Sequence, residues 1–332
     1  MEKEIYIHSS GAVIRLQNAT PEMVNLLYER FAGYFLITEN SANAERAKTL
    51  ILIENSDLQV TSKPNVEIKK TETFYDHDNP EIWVVLGRPT SDDSILELHF
   101  ANRNLAVYTM ISRVIRSLIL QLHFLQGKTF IHASAVSIKG KILAFTGPKY
   151  SGKTTCLLAM CKYTSALPVT NDKLSVYYQG SQAHAQGFPI KAGVRRGSID
   201  LIDKDGFFNK SKICDPSSDK IIRVTMHELA RKFNKVPVQS GPLCAICIPM
   251  FDSSLEGFSV RRYSSVEITN AWNENQLKSL EEIDPEQKAL ANFFPQQYEI
   301  STIPEIPFFL CRSNSGSINE MVEYLEQLVQ TL

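Results

Sequence analysis

The sequence predicts an α/β protein, with an α/β domain over 127–332 preceded by a smaller α+β domain over 1–126. Three observations carry this expectation. Two largely apolar runs, 130–138 and 142–146, flank Gly140 as hairpin strands would, and the second leads through a glycine-containing turn into a helix-capable stretch. The first hundred residues mix strand and helix patterns. A long apolar helix over about 104–126 closes that half, and Gly127 ends it. At 332 residues the chain also exceeds the ~100–200 residues of one ordinary domain.

Each element has its own signal. Residues 4–16 alternate as a strand interrupted at Gly11. Thr20 is a helix N-cap with Pro21 in the first helical position, and apolar residues recur to Phe31. The runs 49–53 and 82–86 are β-rich, and 94–100 alternates again. The apolar stretch 105–125 carries Arg113, Arg116 and His123, and a bilayer centre penalises each charge by ~2.5–3.5 kcal/mol. A buried helix is therefore expected, with its apolar face against the C-terminal half. There the expected elements are a helix over 152–162, a strand over 169–178, a helix over 226–233 and strands over 243–250 and 258–263. Helices over 266–280 and 285–294, a strand over 307–311 and an amphipathic helix over 318–332 follow. The polar stretch 197–219 reads as a loop.

Composition excludes several function classes. The 35 basic and 36 acidic residues nearly cancel, so no whole-protein field draws in nucleic acid or an anionic membrane. A hydrophobic fraction of 43% and a charged fraction of 21% are those of a globular chain. With no apolar signal core at the N-terminus and six scattered cysteines, a cytoplasmic protein is expected. Cys244 and Cys247 lie in one apolar run, where a spacing of three puts the thiols on opposite strand faces. No second pair stands at zinc spacing, so both read as core cysteines.

The chemistry concentrates around one octet. Gly147-Pro148-Lys149-Tyr150-Ser151-Gly152-Lys153-Thr154, followed by Thr155, fits the phosphate-loop pattern, with an apolar strand before it and a helix after it. The glycines let consecutive backbone N–H groups turn toward one anion, and the helix N-terminus adds partial positive charge. Lys153 can then reach the β- and γ-phosphates of ATP, and the Thr154 hydroxyl can ligate Mg²⁺. Upstream on the first hairpin strand stands His132, and downstream stands Asp172. A carboxylate beside a γ-phosphate either holds Mg²⁺ or accepts the proton of an attacking hydroxyl. Lys191, Arg195 and Arg196 form a basic cluster among glycines; it suits charge neutralisation on a phosphoryl group or grip on an acidic substrate, and equally a solvated loop.

As an ordered set, Phe130-Ile131-His132-Ala133-Ser134-Ala135-Val136, then the strand from Gly140 to the loop, then Asn171-Asp172, resembles the C-terminal domain of HPr kinase/phosphorylase. It is more similar still to HPr-kinase-like proteins encoded with peptide-tailoring enzymes, such as lasso-peptide kinases. The resemblance covers about 127–191 and, more loosely, the rest of the C-terminal half. It implies an HPr-kinase-like phosphate-loop fold with ATP and Mg²⁺ as cofactors. It also implies roles: His132 as the active-site histidine, Lys153 as the loop lysine, Thr154 as the magnesium-binding hydroxyl and Asp172 as the proton acceptor. Asn171 stands where the family has a first aspartate, and 187–197 lacks the family's glutamate. That departure removes the basis for carrying over a phosphorylase activity and leaves the kinase.

The expected function is transfer of the ATP γ-phosphate to a hydroxyl, that of Ser or Thr in a peptide or small protein, with a small-molecule alcohol as an alternative acceptor. A non-catalytic nucleotide sensor and a plain ATPase are the rivals. No nucleic acid or membrane partner is expected. The N-terminal domain is expected to serve acceptor recognition or protomer contact in a homo-oligomer, with a merely structural lid as the alternative.

Overall fold

The computed structural model describes residues 2–42, 44–56, 70–75, 83–88, 94–202, 222–279, 282, 290, 293–294 and 303–332. It is a mixed α/β structure of two compact units. One comprises Met1–Gly127 and Lys278–Glu299, the other Lys128–Leu277 and Ile300–Leu332, so the domain expected over 127–332 is interrupted by a segment that groups with the N-terminal unit.

The first unit is built on a seven-stranded sheet. Its strands are β1 (Lys3–Ser9), β2 (Ala12–Ala19), β3 (Leu36–Thr38), β4 (Lys48–Glu54), β5 (Lys70–Tyr75), β6 (Trp83–Arg88) and β7 (Ile95–Phe100), in the order β3-β1-β2-β4-β7-β6-β5. The interruption at Gly11 is a hairpin turn: Ser9 faces Ala12, and Ser10 and Gly11 both take positive φ. Helix α1 (Pro21–Phe31) starts as the sequence predicts, with the Thr20 hydroxyl accepting from Met23 N at 3.2 Å. Helix α2 (Leu105–Leu125) is capped by Asn104, which accepts from Val107 N at 2.9 Å. It packs against β2, β6 and α1, within the first unit. By length and composition α2 could cross a membrane, yet 67% of its most apolar window is buried inside the protein. His123 near its end is buried and hydrogen-bonded to Ser9 O at 2.7 Å. Phe293, from the returning segment, receives a hydrogen bond from Arg88 on its carbonyl.

The second unit contains β8 (Thr129–Ile138), β9 (Lys141–Thr146), α3 (Lys153–Tyr163), β10 (Leu167–Thr170), β11 (Lys173–Gln179) and β12 (Gln182–Gly187). After these come β13 (Ala192–Val194), α4 (Arg196–Ile202), β14 (Ile222–Val224), α5 (Met226–Lys232), β15 (Ser240–Phe251) and β16 (Phe258–Arg262). Helix α6 (Ser265–Asn275), β17 (Gln276–Leu277), β18 (Phe308–Ser313) and α7 (Ile318–Thr331) complete it. The central strand is β8, which changes partners midway. Its first half lies between β11 and β17, its second between β9 and β10. Strands β9, β15 and β18 are parallel, an arrangement that favours ligands at their carboxyl ends. Trp272 and Phe308 close the apolar core in an edge-to-face contact with centroids 6.4 Å apart.

Several expectations need correction. The strand expected over 169–178 is two strands, β10 and β11, kinked at Asn171-Asp172. Both follow the same side of β8, with the register shifting between Pro168 and Thr170. The alternation of apolar residues was legible, but the turn at Asp172, with φ 100°, has no apolar signature. The loop expected over 197–219 begins as helix α4, and 203–221 lies outside the described residues. The helix expected over 266–280 stops at Asn275 because Gln276 and Leu277 pair with Ile131 and Phe130. Most of the helix expected over 285–294 lies outside the described residues.

Candidate active site

Strand β9 ends at Thr146, and the chain turns at once into the loop 147–152. Gly147 has φ 140° and Gly152 φ 103°, left-handed values that a glycine adopts without strain. A Cβ on Gly147 would also meet Ser151 Oγ at 3.1 Å. Helix α3 then begins with no side-chain cap, so no capping side chain satisfies its first-turn N–H groups, the groups that draw anions to helix N-termini. The loop is tied to the sheet behind it: Ser134 Oγ, two residues along β8 from His132 and on the same face, donates to Lys153 O at 2.7 Å.

The Lys153 ammonium donates to Gly147 O at 2.7 Å and Pro148 O at 3.0 Å, so it lies across the mouth of its own loop. Burial lowers its pKa, and the charge of Asp172 partly opposes that shift. The Ser151 hydroxyl is buried with no hydrogen-bond partner. Among the described residues, the orphaned donor and a lysine hydrogen-bonded to loop carbonyls alone fit a cradle that phosphate oxygens would complete.

The kink between β10 and β11 brings the acidic group to this cradle. Asp172 N donates to Ala133 O at 3.0 Å and Ala133 N to Asp172 O at 3.2 Å, so the backbone stays laddered to β8 while the positive φ re-aims the side chain. His132 Nδ1 then lies 3.0 Å from Asp172 Oδ1, both side chains being half-buried. Burial pushes the Asp172 carboxyl up. The hydrogen bond and charge of His132, with Lys173 and Lys153, outweigh it and hold the group below its ordinary value. Next along the chain, Asn171 Oδ1 accepts from Thr154 Oγ1 at 2.9 Å. The structure therefore gathers His132, Lys153, Thr154 and Asp172 at one end of α3.

The basic cluster divides. The Arg195 guanidinium stands 4.8 Å from the centroid of the Tyr150 ring, in the loop. Arg196 instead faces Asp200 at 3.7 Å, and Lys191 is exposed ahead of β13. Thr155 shares a 2.7 Å hydrogen bond with Ser198 of α4. Sequence reasoning missed Ser134 and Ser198. Period-two alternation from His132 would have flagged Ser134, whereas Ser198 has no signal because its partner is 43 residues away. Cys244 and Cys247 are free thiols within β15, the second fully buried. Among the described residues no group of three or more His, Cys, Asp or Glu side chains is arranged to hold a metal ion.

No protein-family model matches the sequence, and no curated protein matches it. Among solved structures the chain is similar to the HPr(Ser) kinase/phosphatase from Coxiella burnetii, at 10% sequence identity and a TM-score of 0.31, over 61% of this chain and 94% of that one.

Proposed function

We propose that this protein is an ATP-dependent phosphotransferase of the HPr-kinase-like type, passing the γ-phosphate to a Ser or Thr hydroxyl of a peptide or small protein. The observation that carries the reading is the His132–Asp172 pair, 3.0 Å apart beside the loop lysine. A nucleotide sensor needs the loop but not a laddered, re-aimed carboxylate held by an imidazole. The resemblance of the ordered motifs to the HPr kinase/phosphorylase C-terminal domain supports the same roles.

In this reading the loop N–H groups and Lys153 bind the phosphates of ATP. The Thr154 hydroxyl, with a shell of water, offers the oxygen chemistry Mg²⁺ prefers and would hold an ion brought with the nucleotide. That ion supplies charge neutralisation on the β- and γ-phosphates. Asp172 accepts the proton of the acceptor hydroxyl. Its lowered pKa makes it a weak base alone, so the hydrogen-bonded His132 shares the proton and the two act as a unit. The N-terminal unit would recognise the acceptor or contact another protomer, and the setting would be cytoplasmic.

The test is incubation with Mg-ATP and candidate hydroxyl acceptors, followed by a mass search for added phosphate. Phosphate on a peptide hydroxyl supports the proposal. Release of free phosphate alone would point to an ATPase, and nucleotide binding without turnover to a sensor.

A further inference from the structure

Tyr150 occupies an unusual position. It lies between the two loop glycines, holds a left-handed backbone with φ 72°, and is 71% exposed as a residue. A bulky residue is strained in that backbone region, and an exposed ring recovers little of this by burial. What the placement does is present an aromatic face at the rim of the phosphate cradle. Two cations use it: Lys149 Nζ at 5.3 Å and the Arg195 guanidinium at 4.8 Å from the ring centroid.

Arg195 is held at its base, and its guanidinium rests on the Tyr150 ring. Its carbonyl accepts from Ser198 N at 3.0 Å and Ile199 N at 3.1 Å, which makes it the start of α4. That helix is fastened to α3 at both ends, by Ser198 on Thr155 and by Lys162 Nζ donating to Ile202 O at 2.7 Å. Ile199 and Ile202 are buried beneath it. The backbone of Arg195 is thus tied through α4 to α3, the helix that follows the phosphate loop, while its side chain rests on an exposed ring.

We infer that Arg195 is a further cation that neutralises the transferring phosphoryl group, parked on Tyr150 until nucleotide arrives. The inference rests on the phosphotransferase reading and deepens it. In the transfer step the acceptor oxygen forms a bond to the γ-phosphorus. The bond from that phosphorus to the β–γ bridging oxygen breaks, and its electron pair stays with ADP. The acceptor proton passes to the His132–Asp172 pair. Arg195 neither forms nor breaks a covalent bond; it donates N–H groups to the γ-phosphoryl oxygens. An arginine suits this task because its planar fork matches phosphate, stays charged and stacks on aromatic faces.

The test uses the full-length protein and Mg-ADP, titrated with and without aluminium fluoride, which with ADP mimics a phosphoryl group in flight. The parent should bind ADP at least about tenfold more tightly when fluoride is present, as expected of a transition-state mimic. Arg195→Ala should bind Mg-ADP within about threefold of the parent, show no such tightening, and lose about 10³–10⁵ in transfer. Added guanidinium ion should restore part of the tightening, which a structural clamp would not permit. Where alanine disturbs the fold, Arg195→Lys keeps the charge but loses the fork, and should lose most of the tightening at unchanged melting temperature. Equal tightening in parent and variants would overturn the inference and leave the phosphotransferase reading standing. So would a parallel loss of ADP affinity and melting temperature. A parent that binds no ADP would overturn the phosphate-loop reading and this inference with it.

Discussion

Asp172→Asn separates chemistry from architecture at the proposed site. The residue holds φ 100°, and asparagine tolerates positive φ better than other residues with a Cβ, so the kink should survive. The two backbone hydrogen bonds to Ala133 do not involve the side chain and remain. What disappears is a half-exposed charge beside His132, and at that exposure the pair is worth no more than about 1 kcal/mol. The chemical loss is far larger. A general base contributes about 10²–10⁴ in rate, or about 2.7–5.4 kcal/mol at 1.36 per decade.

The pH dependence of stability checks the same residue. The folded pKa of Asp172 lies below its unfolded value, so its stabilisation is present above the unfolded pKa and is lost as pH falls through the folded one. The small difference in melting temperature between parent and variant should therefore persist at neutral pH and vanish in acid. Mg-ADP calorimetry and phosphopeptide mass shift provide the kinetic test: affinity within a few-fold, transfer down by the stated factor. Unchanged transfer would remove Asp172 from the site. A loss of nucleotide and Mg²⁺ affinity as large as the loss of rate would make it a metal ligand instead.

Three further outcomes follow from the geometry. Lys153→Ala should abolish turnover and weaken nucleotide binding with little change in melting temperature, because the ammonium bonds only to two loop carbonyls and burial already disfavours its charge. His132→Ala removes the hydrogen bond that lowers the Asp172 pKa, so the acid limb of the pH–rate profile should move to higher pH. Gly187→Ala puts a Cβ 2.6 Å from Val169 O, a backbone atom just ahead of the kink, and should destabilise by about 1–3 kcal/mol in thermal melts.

The parts of the fold legible in the sequence are those with a local cause. Thr20 caps its helix with its own side chain while Pro21 takes the first helical position, and the alternation of β8 and β9 about Gly140 reads as a hairpin because a strand's period is two. The loop octet was legible for the same reason, since its glycines must stand at fixed spacing to take positive φ. The kink at Asp172 was not, because its cause is tertiary: Ala133 holds both backbone groups of Asp172 from across the sheet. The contact of Arg195 with Tyr150 likewise depends on α4 being fastened to α3, which no local pattern announces. Strand β17 ends a helix that propensity alone would have continued, because pairing with β8 competes for its backbone.

The central claim is that this site moves a phosphoryl group from ATP to a hydroxyl. ATP labelled in its γ-phosphate, incubated with the parent protein, Mg²⁺ and a pool of Ser- and Thr-containing peptides, tests it most directly. The account predicts label in acid-stable, base-labile phosphate esters on peptide, absent with Lys153→Ala and reduced by about 10²–10⁴ with Asp172→Asn. Label found only as free phosphate, or retained on ATP that binds without turnover, would contradict it.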